Sequence, residues 1–307
     1  MRRMIATVAL LVAGTAQAAE QVKFGDINYF LEQGKFNLLA DVNSSYEKQR
    51  FQKVNLEARG VILSTQLGYA FTDHLNAFVG LEYAYDREFE NKSDSKVTDY
   101  TGDGLANPAF GLNYRLLDQN NSRYNFDLGA VARINIEDAE DGDSVAGNSK
   151  DGNYAESRSS LEVNARIGRK FDIANEWQLA AGAIYHADGE RTFNGIAGTE
   201  KIDDESSIDV FLRASYQYRP VNEFMMLLSA QATRVGEMEQ DVKGAGSLTH
   251  ESHIDLEFRF TAKYLITDNF IGKFNYSQSR RSNYDIEDDE VKNRRANFFG
   301  LGVDYLF

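Results

Sequence analysis

Ala296-Asn297-Phe298-Phe299-Gly300-Leu301-Gly302-Val303-Asp304-Tyr305-Leu306-Phe307 carries two interleaved series of side chains. Phe299, Leu301, Val303, Tyr305 and Phe307 fall on one face, and Phe298, Gly300, Gly302 and Asp304 on the other. A repeat of two is the signature of a strand. One face is apolar and aromatic while the other is mostly small or charged, so the two faces meet different surroundings. The sequence stops on an aromatic residue.

Working outward, the same alternation recurs back to Phe36. It is clearest in Tyr124, Phe126, Leu128, Ala130, Ala132, Ile134 and Ile136, and strong in Ile208 to Tyr218 and Ile254 to Tyr264. It is weakest around Phe224 to Ala230, where Met225 and Leu227 break the polar series. Twelve such stretches are counted in all. Their connections alternate strictly in kind. Short turns lie near 72–74, 118–123, 172–176, 219–222 and 267–268, and longer polar segments near 47–56, 87–103, 137–156, 188–206, 234–250 and 280–292.

An even count of strands, alternating short and long joins, and a last strand closing on Tyr305-Leu306-Phe307 resemble the Gram-negative outer-membrane β-barrel class. The resemblance implies an all-β, closed antiparallel transmembrane barrel of about 12 strands, with short periplasmic turns and long extracellular loops. It also implies that Phe307 and Tyr305 form an assembly signal read by the barrel-insertion machinery. A soluble sandwich or lipocalin-like barrel is the competing reading. That fold keeps a dry interior and a wet exterior, and the non-apolar face here carries too many charges for it. A narrower similarity covers Gly104 to Leu116, which resembles a strand of outer-membrane transporters associated with aromatic-compound degradation. It implies nothing here about substrate.

The N-terminus agrees with export. Arg2 and Arg3 precede an apolar run from Met4 to Ala13, followed by the small-x-small site Ala16-Gln17-Ala18. A membrane anchor needs about 20 apolar residues, so the run is read as a signal peptide over 1–18. Residues 19–33 follow as a periplasmic N-terminal lead-in, and 34–307 as the barrel. With Arg2 and Arg3 removed, the formal charge moves from −14 to −14 − 2 = −16. That balance argues against a nucleic-acid partner. Absence of cysteine excludes disulfides, thiol catalysis and thiolate metal sites. Only Pro108 and Pro220 interrupt a chain with 16 tyrosines and 20 phenylalanines, a balance suited to paired backbone and aromatic girdles.

The face opposite the apolar series is expected to line a lumen. It carries inward glycines at 68, 80, 111, 129, 168, 182, 300 and 302, read either as space for a passage or as relief of wall bending. It also carries a charge pattern. Glu162 and Arg166, Asp209 and Arg213, and Asp255 and Arg259 each stand four residues apart on one strand. That is about 13 Å along a strand, too far for ion pairs, and predicts an upper acidic and a lower basic tier. Arg133 and Lys273 would extend the basic tier, with Asp41, Glu82 and Asp304 on the opposite wall. Opposed charges resemble a porin constriction. About eight strands give a barrel that side chains just fill, and 16–18 a wide channel. Twelve predicts a narrow passage, partly lined by inward-folded loops.

Chemistry is sparse. His186 with Asp188, near one rim, is the best enzymatic lead, but no paired acid and histidine constellation accompanies it. The acidic loops 137–143, 203–205 and 287–290 match no calcium-loop spacing. No catalytic residue, metal ligand or cofactor is assigned. The expected function is a monomeric porin-like channel for passive diffusion of small polar or charged solutes, with outer-membrane lipid and lipopolysaccharide as its surroundings. A non-channel barrel with adhesive, partner-binding or surface-structural loops is the alternative, and an outer-membrane hydrolase is the least favoured.

Overall fold

A computed structural model describes residues 22–51, 54–93, 96–141, 143–145, 148–150, 152–195, 198–243, 246–286 and 289–307. The expected signal peptide lies outside them. Twelve antiparallel strands form a closed wall. In chain order they are β1 (Phe36–Phe51), β2 (Val54–Thr72), β3 (Leu75–Ser93), β4 (Ala109–Leu117), β5 (Asn125–Arg133), β6 (Ser160–Lys170), β7 (Asn175–His186), β8 (Ser207–Val221), β9 (Phe224–Val235), β10 (His253–Thr267), β11 (Phe270–Arg281) and β12 (Asp289–Leu306). Each pairs with its sequence neighbour, and β12 returns to β1 with Leu38 opposite Tyr305 and Val42 opposite Leu301. Closure leaves no edge, so every strand backbone finds its partner inside the wall. The Phe307 amide donates to the Phe36 carbonyl at 2.8 Å, completing the seam.

The two faces sort as the alternation requires. Outward side chains are large, apolar and uncovered, with Leu301 68%, Leu212 60% and Leu228 57% exposed. Near the short turns they give way to touching rings: Phe36 on Tyr69, Trp177 beside Tyr124 and Phe171, and Tyr305 between Phe270 and Phe307. This is an apolar belt with an aromatic girdle at its lower rim. The interior is the reverse of a soluble core. Its fully buried side chains include Gln119, Gln217, Glu176, Asn28 and Asn125.

Two expectations change. Much of what reads as long loop is ladder. β1 and β2 stay in register up to Phe51 and Val54, and the segments Gly189–Gly195 with Gly198–Asp204 and Met238–Val242 with Gly246–His250 form hairpins above the wall. Both faces of these extensions are polar, so they carry no two-residue hydrophobic signal, yet their backbones pair as well as any. Conversely β5 is shorter than its pattern, because Tyr124, Ile134 and Ile136 fall outside Asn125–Arg133. At the chain start, residues 22–33, part of the segment 19–33 expected as a periplasmic lead-in, fold back into the barrel's turn-side mouth. There Leu31 packs with Ala70 and Leu306, flanked by Phe24 and Tyr29.

Candidate functional site: the lumen and its inner plug

The plug is built around Asp26. A tight turn forms at Lys23-Phe24-Gly25-Asp26, with the Asp26 amide donating to the Lys23 carbonyl and the Lys23 amide to the Asp26 carboxylate at 2.8 Å. Gly25 sits at φ 95°, in the left-handed region. A Cβ there would also lie 2.8 Å from the tip of the Ile271 side chain, which would have to shift. The turn aims Asp26 into the wall, where its side chain is 1% exposed between Lys170 at 2.7 Å and Arg219 at 2.6 Å. Glu176 accepts the amides of Ile27 at 3.0 Å and Asn28 at 2.8 Å. Two cations thus face two carboxylates inside the wall.

Further bonds hold the segment by its backbone. Arg115, locked to Asp127 at 2.7 Å, donates to the Asn28 carbonyl at 2.8 Å. Lys263 donates to the Gly25 carbonyl at 2.9 Å. The Asn28 side chain donates to the Trp177 carbonyl at 3.0 Å and runs close over Gly168, where a Cβ would lie 2.0 Å from Asn28 Oδ1. At least at this position the inward glycine makes room for the plug.

Above the plug the lumen continues as polar cavities. One of about 320 Å³ is bounded by Tyr29 and Leu31 of the plug and by Glu162, Arg166 and Arg213 of the wall. A second, about 580 Å³, touches Asp41, Glu82, Arg259, Lys273 and Asp304. A third, about 430 Å³, lies nearer the long connections beside Asp209, Asp255, His186 and Arg281. Tyr154, from the connection between β5 and β6, reaches the second cavity with Arg87 stacked over its ring at 4.9 Å. Burial first, then the carboxylate of Glu82, push the Tyr154 phenol up to about 12 against the opposing pull of Arg87.

The expected lumen residues all line these cavities except Arg133, but not as two rings. Asp255 is held bidentately by Arg281 at 2.7 and 2.8 Å, and Asp209 by His186 at 3.1 Å and the Gly236 amide at 2.9 Å. The acids at this level therefore have local partners. His186, paired in the sequence reading with Asp188, takes Asp209 instead. Lys273 does not extend the basic tier. It bridges Asp304 at 2.6 Å and Asp41 at 3.0 Å, and so closes the acidic wall on itself. Arg133 lies 3.9 Å from Glu162. Arg166 and Arg213 differ from these. Arg166 donates to Asn113 at 2.6 Å and Arg213 to Gln231 at 2.8 Å, both neutral amides. Arg259 pairs with Glu257 at 2.8 Å.

The sequence reading missed Asp26, Arg115, Lys170, Glu176, Arg219 and Arg281. A signal existed. By alternation Arg115, Lys170, Glu176 and Arg219 all point inward at strand ends beside the short turns, where charges in an apolar mouth need a partner from elsewhere in the chain.

Among solved structures, a COG4313 outer-membrane channel from Pseudomonas putida F1 matches with a TM-score of 0.58 at 14% identity, covering 94% of this chain and 100% of that one. The chain has the fold of an outer-membrane channel. Looser matches include the TodX monoaromatic hydrocarbon channel carrying a deltaS2 mutation, at a TM-score of 0.46 and 9% identity, covering 91% of each chain. Another is the NanC porin, at 0.44 and 9%, covering 87% of this chain and 98% of that one. No family model matches the chain, and neither does any curated protein.

Proposed function

We propose that this chain is a monomeric outer-membrane channel for small polar solutes, closed at its turn side by residues 22–33. The apolar belt would sit in lipid, with lipopolysaccharide around the long connections. The observation that carries the reading is the buried Asp26 cluster, because it supports a wall-anchored plug across the end of an otherwise cavity-bearing lumen. Asp26 is one of several holds on the segment, and removing its carboxylate takes an ion partner from both Lys170 and Arg219. Removing one member of a buried pair costs about 3–5 kcal/mol, enough to shift a segment from docked to released.

Single-channel recording in planar bilayers tests this. The native chain is expected to show small, infrequent openings, and Asp26→Asn larger and longer ones. Silence from both proteins sinks the channel reading, whereas identical conductance in both sinks the plug.

A further inference from the structure

The cavity directly above the plug has chemistry that a passive conduit does not need. We infer that it is a binding site for a small carboxylate bearing hydroxyl groups, a class the size of a sugar acid. This rests on the channel reading and names what the channel would take.

Arg166 on β6 lies opposite Ala180 on β7, and Ala180 lies opposite Arg213 on β8. The two arginines are therefore two strands apart, about 10 Å between backbones, with only a methyl group between them. Ala180 itself is buried and forms part of the cavity wall. The gap can admit an anion that both guanidinium groups approach.

Charge follows the same line. The cavity wall carries Arg166, Arg213 and Glu162, two cations against one anion. The anion is already engaged, accepting from the Asn164 amide at 2.9 Å and lying near Arg133. Neither arginine has a carboxylate within salt-bridge distance among the described residues, and the buried Nε of Arg166 has no hydrogen-bond partner. A guanidinium in such a place is best completed by a carboxylate from outside the chain, which matches its fork of donors.

The rest of the wall says what surrounds that carboxylate. Asn37, Gln66, Asn76, Asn113 and Asn164 line the space, with Asn113 already bonded to Asn76 and Arg166, and Asn164 to Glu162. An amide offers both donor and acceptor, as a hydroxyl does, so the set suits an adjacent run of hydroxyl groups. Phe78, Phe211 and Tyr29 supply ring surface for the C–H face of such a molecule. The volume of about 320 Å³ holds roughly ten waters at about 30 Å³ each. That admits a single sugar ring.

The test uses the full chain in detergent at low salt, with D-glucuronate as probe and isothermal titration as readout. D-glucose carries the hydroxyls without the charge, and propionate the charge without the hydroxyls. Glucuronate is expected to bind at least tenfold more tightly than either. Arg213→Gln and Arg166→Gln should each weaken it by about tenfold, the size of one charge-assisted bond, and Lys201→Gln in a distant hairpin should not. Unchanged migration of the folded form in unheated gels guards against misfolding in each variant. Glucuronate binding no tighter than glucose overturns the inference. So does glucuronate binding that survives both arginine substitutions. Bilayer recording on the same preparations separates the two readings. Conductance without selective binding removes this site and leaves the channel, and selective binding by a silent Asp26→Asn protein removes the channel and leaves the site.

Discussion

At the scale of the residue, the lumen shows how much a side chain's neighbours matter beyond its type. Lys273 and Arg213 are both inward cations on barrel strands, yet one is neutralised by Asp304 and Asp41 and the other meets an amide and the face of the Phe211 ring. Parity places both on the same face, but it cannot pair them, because pairing depends on register with strands far away in sequence. Tyr154 makes the point for a phenol. Held among Glu82, Glu156 and Glu47, it keeps its proton well above the ordinary tyrosine range. Because the docked phenol binds its proton more tightly than the free one, its contribution to docking is fully present below about pH 10. It is lost as the pH rises from there toward about 12. The ultraviolet difference titration between the native chain and Tyr154→Phe should have its midpoint close to 12, not 10. A midpoint at the ordinary tyrosine value means that the ring is not buried among those acids.

At the scale of the element, the alternation reads true wherever a strand has lipid on one side and lumen on the other. Leu161, Val163 and Ile167 mark β6 for that reason. It fails where both sides are wet, as in the outer ends of β1 and β2, and the sequence pattern therefore reads those ends as loop. Its failure in β9 is more instructive. Met225 breaks the polar series because it faces inward and is fully buried, against Gly25 of the plug. Ile271 does the same on β11. Two apolar residues on a polar face were thus the legible trace of the plug, and they make sense only once the segment they touch is known. The closing strand supports a prediction of its own. Phe307 is 52% exposed, and its amide and carbonyl both bond to Phe36. Little burial is lost when it is removed, so refolding of the deletion into detergent should stay largely intact. Its yield in the outer membrane of cells should fall several-fold, through poorer recognition by the insertion machinery. Normal yield in cells would show that the terminal ring carries no assembly signal.

At the scale of the whole molecule, the charges have a geography. The net formal charge is −14, and the exposed acids crowd the long connections, while Arg166, Arg213 and Arg259 stand along one side of the middle of the lumen. A permeating ion feels these in sequence, and the nearest charges in the narrowest, least hydrated stretch act most strongly. Salt shortens the reach of the outer acids to about 8–10 Å, so they cannot set selectivity from the rim. Arg213, like Arg166 and unlike Arg259, has no carboxylate within salt-bridge distance among the described residues. Reversing its charge alters the field without breaking an ion pair in the wall, which Lys273→Glu could not do. In the Asp26→Asn background, where the lumen conducts, Arg213→Glu should therefore move the zero-current potential under a salt gradient toward cations. The shift should be larger in dilute salt than in concentrated salt. Glu140, exposed among the outer acids, provides the contrast, since Glu140→Gln should leave the potential nearly where it was. If Arg213→Glu conducts and its potential does not move, ions pass this barrel by a route that avoids the arginine wall, and the cavities above the plug are not part of the path.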